Sequence, residues 1–225
     1  MKKPYLIAEM GVNFYDTARV LGITPLDAAK LYIDKAAKAG IDCAKFQSYK
    51  AGTIVSKNSP AYWDTTKEPT KTQYELFLKH DSFGEGEYRE LSEYTHAKGM
   101  DFTYTPFDYT SADYLEDMVD FYKISSSDLS NLPFIRHIVG KGKSVYMSVG
   151  ASYLSEVDTA LSTLKDAWCE DSLLLHCVLS YPTNPEDANL QIIGTLKKDF
   201  PDVRVGFSDH VAPDDTMMTL ATAYL

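Results

Sequence analysis

Seven short apolar runs, each followed by a stretch with helical spacing, recur along the chain at intervals of roughly 25–40 residues. They fall at residues 5–11, 43–49, 101–107, 121–125, 144–150, 173–178 and 204–210. Strands that alternate with helices in this way form βαβ units and a parallel sheet. A doubly wound sheet and a barrel both meet that pattern. No Gly-rich dinucleotide fingerprint follows the first strand, and no Walker A loop is present. The expected fold class is therefore α/β, a (β/α)8 TIM-type barrel missing its eighth strand–helix unit. Residues 1–225 are read as one incomplete catalytic barrel domain.

Local signals place the helices. Thr24 and Pro25 supply an N-cap hydroxyl and a proline at the first helical position, and Gly40 ends that helix. Residues 13–16 read as loop. Residues 51–82 read as a long excursion with a short helix at 73–78; in a compact domain such a loop is functional or disordered. Further helices are expected at 85–97, 111–118, 133–139, 152–167 and 190–198, and a last one from Pro213.

Successive strand side chains point to opposite faces, so each run divides by parity. Glu9 lies with Ile7 and Gly11. Lys45 and Gln47 lie opposite Ala44, Phe46 and Ser48. Thr103 and Thr105 lie opposite Phe102 and Tyr104, and Lys123 and Ser125 opposite Tyr122 and Ile124. Ser148 lies opposite Met147, and Ser208 and His210 lie opposite Val205 and Phe207. In the sixth run the candidate is His176 or the turn beyond it, although a satisfied core histidine is the better reading of His176. Strands of a parallel sheet are normally buried on both faces. A lysine there needs an anion beside it, because burying an unpaired ammonium is costly. Two such lysines with several hydroxyls make a pocket for phosphate and carboxylate, and an imidazole at the rim can bind a divalent metal. This suits an enzyme that condenses a phosphorylated three-carbon acid.

The net charge of −10 argues against nucleic acid as a partner, since phosphate-backbone binding needs clustered Lys and Arg. Three cysteines are too few for a disulfide framework and suit a reducing compartment; they read as inert core residues. The N-terminus runs into a strand without a signal-peptide apolar region, and no run is long enough to span a membrane. A cytoplasmic protein is expected.

Seven ordered motifs then resemble one family. They are Ile7-Ala8-Glu9-Met10-Gly11-Val12-Asn13, Ala44-Lys45-Phe46-Gln47-Ser48-Tyr49, Thr105-Pro106-Phe107, Tyr122-Lys123-Ile124-Ser125-Ser126-Ser127-Asp128, Met147-Ser148-Val149-Gly150, His176-Cys177 with Tyr181-Pro182-Thr183, and Gly206-Phe207-Ser208-Asp209-His210. Each stands at a strand end, as in the N-acetylneuraminate (sialic acid) synthase family. The resemblance implies condensation of phosphoenolpyruvate with an N-acylated hexosamine, such as N-acetylmannosamine, to give a nonulosonic acid and phosphate. It implies phosphoenolpyruvate contacts at Lys45, Thr105, Lys123, Ser126, Ser148 and Ser208. It also implies acidic catalytic positions at Glu9 and Asp128, sugar contacts at Tyr181 and Gln47, and a metal ligand at His210. The metal implied is Mn2+, with Mg2+ or Co2+ as alternatives, and the full-length form is implied to be a homodimer.

Leu179, Phe14 and Val149 depart from the family pattern. The second metal-binding histidine and the antifreeze-like domain are expected beyond Leu225. The alternative readings are another phosphoenolpyruvate-dependent 3-deoxy sugar acid synthase or aldolase on the same barrel, and an inactive fragment that only binds phosphoenolpyruvate.

Overall fold

A computed structural model of the chain describes residues 3–169 and 171–212. They divide into two compact units, one spanning Tyr5–Asp120 and one made of residues 3–4 and those from Phe121 onward. The last expected helix, from Pro213, lies outside the described residues.

In the first unit, β1 (Ile7–Gly11), β2 (Cys43–Ser48) and β3 (Asp101–Pro106) run parallel in sequence order. Helices α1 (Phe14–Leu21) and α2 (Pro25–Lys38) connect the first two strands. The Thr24 hydroxyl accepts from the Asp27 N–H at 3.0 Å, which caps α2 as expected. Helix α1 was not expected. Asn13 stands at its N-cap but makes no side-chain cap bond, and Gly22 ends it at φ 65°. Phe14, Tyr15 and Ala18 supply its buried face.

The excursion after β2 is ordered. It contains α3 (Ala51–Ile54) and α4 (Gln73–Leu78), the second started by a capping box between Thr72 and Glu75. Pro60 and Thr72 form an antiparallel bridge, and Phe77 meets Tyr49 edge-on at 5.5 Å. At its base the Lys50 ammonium donates to the Phe83 carbonyl at 2.7 Å. Helices α5 (Glu85–Ala97) and α6 (Tyr109–Tyr114) complete the unit.

Parity divides this sheet as expected. Phe46, Phe102 and Tyr104 share one face and are fully buried. Phe46 meets Phe14 of α1 at 5.9 Å, and Tyr104 meets Tyr88 of α5 edge-on at 4.8 Å. Truncating one such ring to alanine costs about 3–5 kcal/mol, so this aromatic layer anchors the sheet. Lys45, Gln47, Thr103 and Thr105 occupy the other face.

In the second unit, β4 (Phe121–Ile124), β5 (Val145–Ser148), β6 (Ser172–His176) and β7 (Arg204–Phe207) are also parallel and in sequence order. Helices α7 (Leu132–Val139), α8 (Leu154–Asp166) and α9 (Gln191–Asp199) connect them. One face carries Tyr122, Ile124, Val145, Met147, Leu174 and His176, all buried. The other changes character along the strands. Near their N-terminal ends Phe121 stacks on Tyr146 at 4.1 Å, and Arg204 pairs with Asp171 at 2.6 Å. Toward the C-terminal ends it carries Lys123, Ser148, Gly206 and Ser208, and active sites of (β/α)8 barrels form at that end. Both units repeat the strand–helix order of such a barrel. The fold class is α/β of the (β/α)8 type, with seven strands among the described residues.

Candidate active site

In the first unit the site begins at a bulge. Glu9 registers with Lys45, but Gly11 registers with Phe46, so Met10 is the extra residue. Bulges at barrel rims re-aim side chains. Here the bulge turns through Gly11, whose φ of +51° is one that a side chain rarely tolerates. A Cβ at Gly11 would lie 3.3 Å from Glu9 Oε1 and 3.7 Å from Gln47 Nε2. The same turn thus brings the Glu9 carboxylate and the Gln47 amide together.

The Lys45 ammonium donates to Glu9 Oε2 in a close ion pair. The two partners differ in exposure: the Lys45 side chain is 8% exposed and the Glu9 side chain 51%. The cation is fixed in the sheet, and the carboxylate reaches solvent. Thr103 registers with Lys45 and Thr105 with Gln47, and both threonines are buried. The anion that a strand lysine requires is Glu9.

In the second unit, buried Lys123 lies on the polar face near Asp128. Burial pushes the Asp128 carboxyl above the usual carboxylate range. Hydrogen bonds from Asn131 and Ser127 and the positive charge of Lys123 offset only part of that effect. Ser126, in the turn after β4, accepts from the Gly150 N–H at 3.0 Å. Two buried side-chain oxygens among the described residues have no hydrogen-bond partner, Tyr104 Oη and Ser148 Oγ. Tyr104 stands on the ring-packed face of its sheet. Ser148 stands at the C-terminal end of the polar face of β5.

The third group surrounds His210. Its Nδ1 lies 2.5 Å from the Val178 carbonyl oxygen. A carbonyl only accepts, so Nδ1 carries the proton and the lone pair of the neutral ring is on Nε2. Tyr181 Oη lies 3.2 Å and Ser208 Oγ 3.4 Å from that nitrogen, and the Tyr181 ring packs on the imidazole at 4.2 Å. A ring held by its other nitrogen on a backbone carbonyl is how histidines are oriented as metal ligands. His210 therefore fits one position of a divalent ion. Among the described residues no group of three His, Cys, Asp or Glu could hold a metal.

Of the residues singled out by sequence, Glu9, Lys45 and Gln47 meet at the bulge, with Thr105 registered beside Gln47. Lys123 acts on Asp128, and Tyr181, Ser208 and His210 form one cluster. Ser126 and Ser148 have no direct bond to any of these. His176 is a core histidine: its Nε2 faces the Ala188 carbonyl at 2.8 Å and its ring stacks on Phe207. The polar face of β6 continues instead through Cys177, whose Sγ lies 3.0 Å from Ser126 Oγ. Cys177 was read as an inert core residue, and Gly150 only as part of a motif. Parity puts both on the polar face, Gly150 two residues after Ser148 and Cys177 one residue after His176, but neither residue type conflicts with burial, so parity alone does not mark them.

Similarity to known proteins points in one direction. The sequence model of the NeuB family matches residues 32–225. An uncharacterized protein of Methanocaldococcus jannaschii is 38% identical over 92% of this chain and 55% of its own length. The N,N'-diacetyllegionaminic acid synthase of Legionella pneumophila is 34% identical over 92% of this chain and 57% of its own. The chain thus spans a little over half the length of these curated relatives. Among solved structures, an N-acetylneuraminic acid (sialic acid) synthetase from Leptospira borgpetersenii, in complex with citrate, matches with a TM-score of 0.83 and 32% identity. That match covers 98% of this chain and 69% of the other.

Proposed function

Because the chain belongs to the NeuB family, we propose that the protein condenses phosphoenolpyruvate with an N-acylated hexosamine of the N-acetylmannosamine type, giving a sialic-acid-type nonulosonic acid and phosphate. The observation that carries this reading is the Ser148 hydroxyl, which is 2% exposed and has no hydrogen-bond partner. A buried hydroxyl left unsatisfied costs about 1–3 kcal/mol, a cost that an incoming anion removes. It shares its face with Lys123, and phosphoenolpyruvate brings both a phosphate and a carboxylate.

The residues divide the work by chemistry. Lys45 and Lys123 neutralise anionic charge from fixed positions, an electrostatic contribution that grows where water is excluded. Thr105, Ser126, Ser148 and Ser208 donate to phosphate or carboxylate oxygens. Gln47 and Tyr181 recognise the sugar. C3 of phosphoenolpyruvate bonds to the aldehyde carbon, whose oxygen gains a proton, and water adds at C2 as phosphate leaves. Asp128, with its raised carboxyl, is suited to give that proton. Glu9, whose carboxylate meets the Lys45 ammonium and reaches solvent, is suited to take one from the water. A divalent cation, Mn2+ first and Mg2+ or Co2+ next, would polarise the aldehyde as a Lewis acid with His210 Nε2 among its ligands.

All three cysteines are free thiols, which supports a reducing, cytoplasmic setting. No helix among the described residues is long and apolar enough to cross a membrane.

Titration calorimetry with phosphoenolpyruvate on the full-length protein tests the reading. Wild type should bind, and Ser148→Ala should weaken binding about tenfold, the scale of one hydrogen bond to a charged group. Equal affinity in the two proteins would remove Ser148 from the anion site.

A further inference from the structure

Ser126 Oγ has two polar neighbours, a backbone N–H and a thiol. The Gly150 N–H donates to it at 3.0 Å, and Cys177 Sγ lies 3.0 Å away. A hydroxyl has one hydrogen to give and two lone pairs to receive with. Gly150 takes one lone pair. If the thiol took the hydroxyl's hydrogen, nothing would remain to donate outward. If the thiol donates, both lone pairs are filled and the hydrogen must point away from Gly150 and Cys177.

The packing holds the three groups in this relation. A Cβ at Gly150 would lie 2.7 Å from Cys177 Sγ, 3.0 Å from Ser126 Oγ and 3.2 Å from the Cys177 carbonyl oxygen. No other residue fits without separating them. Cys177 is 4% exposed, and it leaves β6 on the same face as Leu175, whose register partners are Ser148 and Gly206. The chain ends after β4, β5 and β6 are thus tied through one hydroxyl.

We propose that Cys177 is a positioning residue: its S–H donates to Ser126 Oγ and so converts Ser126 into an obligate donor to a bound anion. This rests on the reading that Ser126 contacts phosphoenolpyruvate. The thiol itself touches no substrate. Serine at position 177 supplies the same donor from a shorter arm, and alanine supplies none.

Two measurements on the full-length protein test the proposal. The first is phosphoenolpyruvate affinity by calorimetry across a double-mutant cycle. Cys177→Ala should weaken binding about 5- to 10-fold, the scale of one hydrogen bond, and Cys177→Ser should stay within about 2-fold of wild type. In a Ser126→Ala background, Cys177→Ala should have no further effect on affinity. A loss of equal size in both backgrounds would overturn the proposal, because the thiol would then act by packing.

The second measurement is the Raman S–H stretch of Cys177, taken as wild type minus Cys177→Ala without any ligand. It should lie at the lowered frequency of a hydrogen-bond donor and rise in Ser126→Ala. A band that Ser126→Ala leaves in place would overturn the proposal, whatever phosphoenolpyruvate does. A wild-type protein that shows the lowered band yet binds no phosphoenolpyruvate would overturn the functional reading and uphold the direction of the thiol bond.

Discussion

Lys45 and Glu9 show what a buried charge demands at the scale of single residues. An ammonium in a parallel sheet is tolerated only with a partner, and the partner here is the half-exposed carboxylate one strand away. Lys45→Ala or Lys123→Ala should cut turnover of the full-length enzyme at least ~100-fold, the scale for one preorganised electrostatic group. Steady-state kinetics close to wild type in both would exclude the lysines from the chemistry. Asp128 makes a pH-dependent prediction. Its carboxyl is raised in the folded protein, chiefly by burial, so folding favours the protonated form. The stability it contributes is complete below the unfolded carboxylate pKa and is lost as pH rises through the folded value. Asp128→Asn should therefore stabilise the fold at neutral pH and lose that advantage in acid. Denaturant melts at both ends of this range would read the difference, and an advantage independent of pH would contradict the assignment. These residues could be picked out from the sequence because a Lys or Ser at alternating positions of an apolar run conflicts with burial. Cys177 could not, because a cysteine is as much at home in a core as in a site.

At the scale of elements, parity carried the reading wherever strands were regular. Phe46, Phe102 and Tyr104 take the ring-packed face, and Lys45, Gln47, Thr103 and Thr105 the other, as their alternation required. It failed at the bulge, where Gly11 rather than Met10 registers with Phe46. A bulge is set by pairing with a neighbouring strand, and the sequence of one strand does not reveal it. Helix α1 was missed for a different reason. Its apolar face was present, but Asn13 at its start is as common in turns as at helix caps, and residues 13–16 read as loop. Gly11→Ala should cost about 1–2 kcal/mol for a left-handed backbone and should also press on Glu9 and Gln47. Turnover and stability should fall together. Full activity in this variant would show that the bulge does not aim the carboxylate.

Across the whole molecule, a chain of net charge −10 is proposed to bind a highly anionic substrate. The charge and the proposal are compatible because the cations concerned are local and fixed, with Lys45 and Lys123 each less than a tenth exposed. The fold class was legible because strand–helix alternation is a property of the entire sequence. Strand direction, register and the tautomer of His210 were not, since each depends on a partner distant in sequence, as the Val178 carbonyl is for His210. The most direct test of the central claim is phosphate release by the full-length protein given phosphoenolpyruvate, Mn2+ and a panel of N-acylhexosamines, with the product read by mass. Release should require both the sugar and the metal, stop on chelation, and yield a nine-carbon acid with mass equal to both substrates plus water minus phosphate. Release that stays at background with every N-acylated sugar, or that proceeds with an unacylated sugar phosphate instead, would contradict the account.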